Sequence, residues 1–218
     1  MLSRRLFVGA LCAPLAARPA MSQGQMPPIG SLRFDIQRNQ GRIGRHGVQL
    51  DRQGNIVTAR IQVEVAVGIG PIVVYRYSLS ATETWRDGRF AAFDSECNDD
   101  GTRLSVRAES REEGVVVSTG NAPWLVLPRD TVPMTHWNRA CLHSPLFEAR
   151  DGKPARPKVT PRGMERLALA DGRTVQAERY SYSGDIELDD WYDTAGSWAG
   201  MRTTGRDGSI IEYRRLGG

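Results

Sequence analysis

The sequence predicts an all-β protein: an antiparallel meander that forms a curved sheet or incomplete barrel, with a short helix or loop crossover near residues 123–161. Two observations carry this. Short runs alternate apolar and polar residues, the period of a strand with one buried face and one wet face. Between the runs recur dipeptides that supply the positive φ angles of tight hairpins, at intervals of roughly a dozen residues. A third observation excludes the main rival. Strands do not alternate with helical periodicity, so a doubly wound parallel sheet is not expected.

The chain opens with an export signal. Ser3-Arg4-Arg5-Leu6-Phe7 sets two arginines before an apolar stretch over residues 6–17, broken only by Gly9 and Pro14. A charged start and a short apolar run mark a secretory signal peptide, and the run is too short to span a membrane. The arginine pair resembles the twin-arginine signals of proteins exported already folded; an ordinary general-secretory signal is the alternative. Ala20-Met21-Ser22 is the best small-x-small cleavage site. Residues 1–22 are therefore expected to be signal and 23–218 a single β domain. The expected destination is the periplasm, soluble after cleavage near Ser22, with the twin-arginine translocase and a signal peptidase as partners during export. Leu11 stands where a lipoprotein signal needs a small residue, so Cys12 is not expected to be lipidated.

Strands follow in order. Leu32-Arg33-Phe34-Asp35-Ile36, Ile61-Gln62-Val63-Glu64-Val65-Ala66-Val67, Tyr75-Arg76-Tyr77-Ser78-Leu79 and Leu104-Ser105-Val106-Arg107-Ala108 all alternate. Turn dipeptides fall at Gln53-Gly54-Asn55, Asp87-Gly88, Asp100-Gly101, Asp151-Gly152, Asp171-Gly172, Ala195-Gly196 and Asp207-Gly208, and six of the seven read as hairpin corners. Gly68-Ile69-Gly70 lacks the third glycine of a dinucleotide fingerprint and reads as a strand kink or bulge. Residues 123–161 break the rhythm: prolines crowd there with Trp124, Trp137, His136 and His143. Thr135 to Leu142 could form one or two helical turns capped by Thr135. The segment is either a pocket rim or lid, or a structural plug closing the open end of the sheet.

Charge and cysteines bound the function. The formal charge is +4, and loss of Arg4, Arg5 and Arg18 with the signal leaves +1. The mature chain thus lacks the net field that draws nucleic acid or anionic lipid from a distance, and no nucleic-acid partner or transmembrane anchor is expected. Cys97 and Cys141 remain after the signal is lost, in a compartment that permits disulfides. A bridge would close a loop of about 45 residues, and two separate buried thiols are the equal alternative.

Catalytic signatures are sparse. His136, Cys141 and His143 cluster, but without paired ligand spacing, so neither a metal nor a cofactor is expected. A Cys141–His136 or Cys141–His143 thiolate pair would point along a surface rather than into a prepared cleft. No Gly-x-Ser-x-Gly or Ser-x-x-Lys occurs. Asp185, Glu187, Asp189 and Asp193 are the carboxylates a glycosidase-like site would draw on, yet alternation puts the first three on a solvated face. Aromatics flank two hairpins. Trp85 and Trp198 are expected to pack, whereas the adjacent Trp191 and Tyr192 face opposite sides, so that one is core and the other a candidate ligand contact.

One family shares these landmarks in the same order. They are Trp85-Arg86-Asp87-Gly88-Arg89, Asn98-Asp99-Asp100-Gly101, Thr135-His136-Trp137-Asn138, Trp191-Tyr192-Asp193 and Asp207-Gly208-Ser209-Ile210-Ile211-Glu212-Tyr213. The chain resembles, over residues 32–216, the exported bacterial proteins grouped as domain of unknown function 6134. The resemblance implies no established activity and no catalytic residues, and Cys97 and Cys141 stand outside the pattern. The expectation is a periplasmic binding or carrier module for an apolar or amphipathic envelope ligand such as a lipid. His136, Trp137, Trp191 and Tyr192 are its candidate contacts. The alternatives are a hydrolase of envelope polymers using paired carboxylates, and a structural partner in an envelope complex.

Overall fold

The computed structural model describes residues 26–120, 122–205 and 207–217. The signal over 1–22, with Cys12 and the cleavage site, lies outside the described residues. The first half of the chain forms β1 (Gly30–Arg38), β2 (Gly41–Gln53), β3 (Ile56–Ile69), β4 (Ile72–Arg86), β5 (Arg89–Asp99), β6 (Thr102–Ser110), β7 (Val115–Ser118) and β8 (Leu125–Leu127). After short strands β9 (Val132–Met134), β10 (Leu146–Glu148) and β11 (Pro154–Ala155) come β12 (Lys158–Ala168), β13 (Thr174–Ser183), β14 (Leu188–Asp193), β15 (Trp198–Thr204) and β16 (Ile210–Arg215).

Thirteen of these strands make one antiparallel sheet in the order β12-β13-β14-β15-β16-β1-β2-β3-β4-β5-β6-β7-β8. Each half is a meander, and the halves join where β1 pairs with β16, Phe34 opposite Arg215. The end strands β12 and β8 do not pair, so the sheet curls without closing into a barrel. Alternate side chains line the inner face, among them Phe34, Ile36, Val48, Leu50, Ala59 and Ile61, each no more than 2 % exposed.

All seven turn dipeptides join consecutive antiparallel strands, one more than the six expected as hairpin corners. At Asp87-Gly88 and Asp100-Gly101 both residues have positive φ, which matches the right-handed twist of the flanking strands. Six corners lie in the large sheet; Asp151-Gly152 joins β10 to β11 in a small three-stranded sheet. The register of β3 against β4 shifts between Val67 and Gly68, the irregularity the glycines signal.

That small sheet and its flanks form a plug inside the curl. Phe147 packs edge-on against Phe90 and Phe93 of β5, and Ser95 donates to the Ala149 carbonyl at 2.7 Å. On the opposite wall, Cys141 meets the hydroxyls of Tyr182 on β13 and Tyr192 on β14. These walls lie far apart in the strand order, so the sheet wraps around the segment. The expected helix from Thr135 is replaced by a single 3-10 turn, Arg139–Leu142, capped by Asn138, whose side chain accepts from the Ala140 amide. Thr135 does not cap it because its hydroxyl is committed elsewhere, and His136 at φ +64° cannot continue a right-handed helix.

Candidate functional site

Two carboxylates without exposed surface anchor the plug to opposite walls. Glu83 of β4 shares its parity with Leu79, Ala81 and Trp85 and points inward. It accepts hydrogen bonds from Trp85 Nε1 at 2.6 Å, Thr135 Oγ1 at 2.7 Å and Trp137 Nε1 at 2.8 Å. Burial pushes its carboxyl up to about 7, against the pull of these three donors. Asp190 of β14 accepts from Trp198 Nε1 at 3.0 Å, and its Oδ2 lies 2.8 Å from His136 Nδ1. The His136 ring stacks on Trp198 with centroids 5.1 Å apart. The left-handed backbone at His136 lets Thr135 and Trp137 reach one wall while the histidine between them reaches the other.

Of the candidate contacts, the structure brings His136, Trp137 and Tyr192 together. Trp137 and Tyr192 are fully buried, and the Tyr192 hydroxyl donates to the His136 carbonyl at 2.8 Å. Trp191 is elsewhere. It lies on the outer face with Ala177 and Ala199, bonds Glu165 through Nε1 at 2.6 Å, and carries the Arg179 guanidinium over its ring. The expectation that only one of Trp191 and Tyr192 is buried is therefore corrected. Both are, because small neighbours and a covering arginine bury an aromatic even on the outer face. Trp85 and Trp198 are 4 % and 0 % exposed.

The cysteines are free and buried. Cys97 sits with the Tyr77 hydroxyl and Cys141 with two others, so the bridge is not formed. Burial pushes the Cys141 thiol up to about 12, which leaves it a neutral packing group rather than a nucleophile. His143 is exposed, and among the described residues no three of His, Cys, Asp and Glu are placed to hold a metal ion. The four acids singled out for hydrolysis are dispersed. Asp189 pairs with Arg179 at 2.7 Å and Asp193 with Arg215 at 2.8 Å. Asp185 caps the Arg156 amide, and Glu187 is exposed.

Sequence reasoning missed Glu83, Asp190 and His46. Glu83 and Asp190 stand two residues from Trp85 and Tyr192, at the parity of the inner face, and alternation locates that parity without stating that an acid there is buried. His46 on β2 is the same case. It is enclosed by Phe34, Trp198 and Tyr213, and among the described residues neither ring nitrogen has a partner. Burial, reinforced by His136, lowers its pKa to about 3.

A cleft of about 690 Å³ opens where β2 to β5 approach their turns. Ile43, Val65, Ala66 and Tyr77 supply apolar lining; Arg42, Arg45 and Arg76 face it, with Glu64 the one acid among the lining residues. Among the described residues no helix is long and apolar enough to cross a membrane.

The fold has a solved counterpart. A β-barrel-like protein of domain of unknown function 1849 from Brucella abortus superimposes with a TM-score of 0.59, over 87 % of this chain and 97 % of that one. At 10 % identity this likeness concerns the fold alone. No curated protein sequence matches the chain. The order of hairpin landmarks has its counterpart in one family profile, which matches residues 34–216: the chain belongs to the domain of unknown function 6134 family.

Proposed function

We propose that this protein is an exported periplasmic binding module for an amphipathic envelope ligand with an acidic headgroup, held in the cleft between β2 and β5. The cleft carries the reading. Its volume falls within the usual range for small-molecule sites, and it combines apolar walls with a few convergent charges. Arg42, Arg45 and Arg76 would take the headgroup, and Ile43, Val65 and Tyr77 the adjoining hydrocarbon. The twin-arginine-type start supports the compartment. His136, Trp137 and Tyr192 hold the plug in this reading, and would touch a ligand only if the plug moved.

The test is native and denaturing mass spectrometry on protein exported with its own signal and purified from periplasm. A native mass excess that vanishes on denaturation, and that Arg42→Gln removes, is expected. A bare native mass that stays bare after incubation with short-chain phosphatidylglycerol would sink the reading. The denatured mass also reports cleavage after Ser22. It is expected to carry no two-hydrogen deficit, since Cys97 and Cys141 are separate thiols.

A further inference from the structure

The β3–β4 hairpin runs past both of its neighbours. Pairing of β2 with β3 ends at Gly44 opposite Val65, and pairing of β4 with β5 ends at Tyr77 opposite Asp99. Beyond these, residues 66–76 form a two-stranded ribbon, with no third strand among the described residues, from Ala66 opposite Arg76 to Ile69 opposite Ile72. At roughly 3.3 Å per residue the ribbon projects on the order of 15 Å. Its composition is unlike the rest of the chain. Residues 65–75 read Val-Ala-Val-Gly-Ile-Gly-Pro-Ile-Val-Val-Tyr, without one charge, in a sequence that is 25 % charged.

Exposure follows the projection. Val63 is buried, Val65 and Val67 are half-buried, and Ile72, Val73 and Val74 are 66 %, 41 % and 48 % exposed. Ile72 to Val74 are consecutive, so both faces of the ribbon present aliphatic side chains to water. An isolated two-stranded ribbon is marginal in water, and a contiguous apolar projection marks a contact surface.

We propose that this tip docks on a phospholipid bilayer, inserting Ile72, Val73 and Val74 below the headgroups. A protein groove covers one face of a strand, whereas a ribbon apolar on both faces fits a medium that is apolar all round. The base of the ribbon matches a headgroup layer. Tyr75 sits there with its hydroxyl bonded to Asp99 at 2.8 Å, and Arg42, Arg45 and Arg76 face the cleft. Asp35 and Glu64 engage Arg42 and Arg45; among the described residues no carboxylate lies within ion-pair distance of Arg76. Phosphates would complete that set. Tyrosine and arginine at such a boundary suit the membrane interface. The near-neutral mature chain has no long-range attraction to lipid, so docking is driven by contact and is reversible.

This inference does not require the cleft to hold a ligand. The test is co-sedimentation of purified protein with vesicles of equal parts phosphatidylglycerol and phosphatidylethanolamine. The wild-type protein is expected to partition onto them, and Ile72→Asp or Val73→Asp to lower the partition coefficient at least tenfold without changing the melting temperature. In Ile72→Trp, the new tryptophan's emission is expected to shift to the blue when vesicles are added. Absence of wild-type partitioning, or tip variants that sediment like wild type, overturns the proposal. So does an Ile72→Trp emission that ignores vesicles but shifts as the protein dimerises, because the tip then covers a second copy. Binding of monomeric short-chain phosphatidylglycerol should survive Val73→Asp and fall with Arg42→Gln, which separates docking from ligand capture.

Discussion

Glu83 and His46 are titratable groups enclosed by the core, and they load the stability of the fold in opposite directions. The Glu83 carboxyl keeps its proton up to about 7 in the fold but releases it near its ordinary 4.5 when unfolded. Its contribution is complete below 4.5 and lost as pH rises through 7, a span worth about 3 kcal/mol. His46 has a folded pKa of about 3 against an ordinary 6.5, so its contribution is complete above 6.5 and lost as pH falls toward 3, about 4–5 kcal/mol in all. Between about 4.5 and 6.5 the two slopes offset, and urea midpoints are expected to be flat there. Glu83→Gln should remove the decline above that window, and His46→Leu the decline below it. A smaller effect concerns Gln40, held at φ +72° in the β1–β2 turn. Gln40→Gly should raise stability by about 0.5–1 kcal/mol, read as a higher melting temperature, because a side chain is strained in that backbone region. This turn was not legible from the sequence. Asn39-Gln40 lacks the glycine that announced the other corners, and a hydrogen bond from the Ile210 amide to Asn39 Oδ1 helps hold it.

At the scale of elements, the plug illustrates what local pattern can and cannot convey. Alternation and Asp-Gly dipeptides located the long strands because a two-residue period and a turn are written in neighbouring residues. Residues 123–161 were legible only as a departure from that rhythm. Their conformation depends on Glu83 and Asp190, which lie far away in sequence and whose burial no local pattern states. Thr135 looked like a helix cap for the same reason: its hydroxyl is suited to an amide, and a buried carboxylate outbids it. Two substitutions test the arrangement. Trp137→Ala removes a fully buried indole and one donor to Glu83, and should cost about 3–5 kcal/mol in urea unfolding. Trp124→Ala, at a residue 65 % exposed, should stay within about 0.5 kcal/mol of wild type. Thr135→Val is the finer probe. It should cost about 1–3 kcal/mol and move the Glu83 titration further upward, because the hydroxyl it deletes favours the ionised carboxylate.

For the molecule as a whole, an unclosed sheet must manage its edges, and the two edge strands among the described residues, β12 and β8, differ. β12 carries Pro161, a register shift before Gly163, and the charges of Lys158, Arg162, Glu165 and Arg166. Proline, irregularity and charge all discourage a second strand from pairing there. β8 has none of these. It is three apolar residues, Leu125–Leu127, with Leu125 and Val126 exposed and Trp124 beside them. Its brevity limits the ladder it can offer, and Arg111 lies over the Trp124 ring, yet it is the edge less defended against pairing. Association at raised protein concentration should therefore run through β8. Sedimentation velocity is expected to show concentration-dependent dimer that Val126→Lys abolishes and Met164→Lys, on β12, leaves in place. If Met164→Lys removed the dimer instead, pairing would run through the better-defended edge. If Val73→Asp alone removed it, the dimer contact would be the apolar hairpin tip, and neither sheet edge would be its cause.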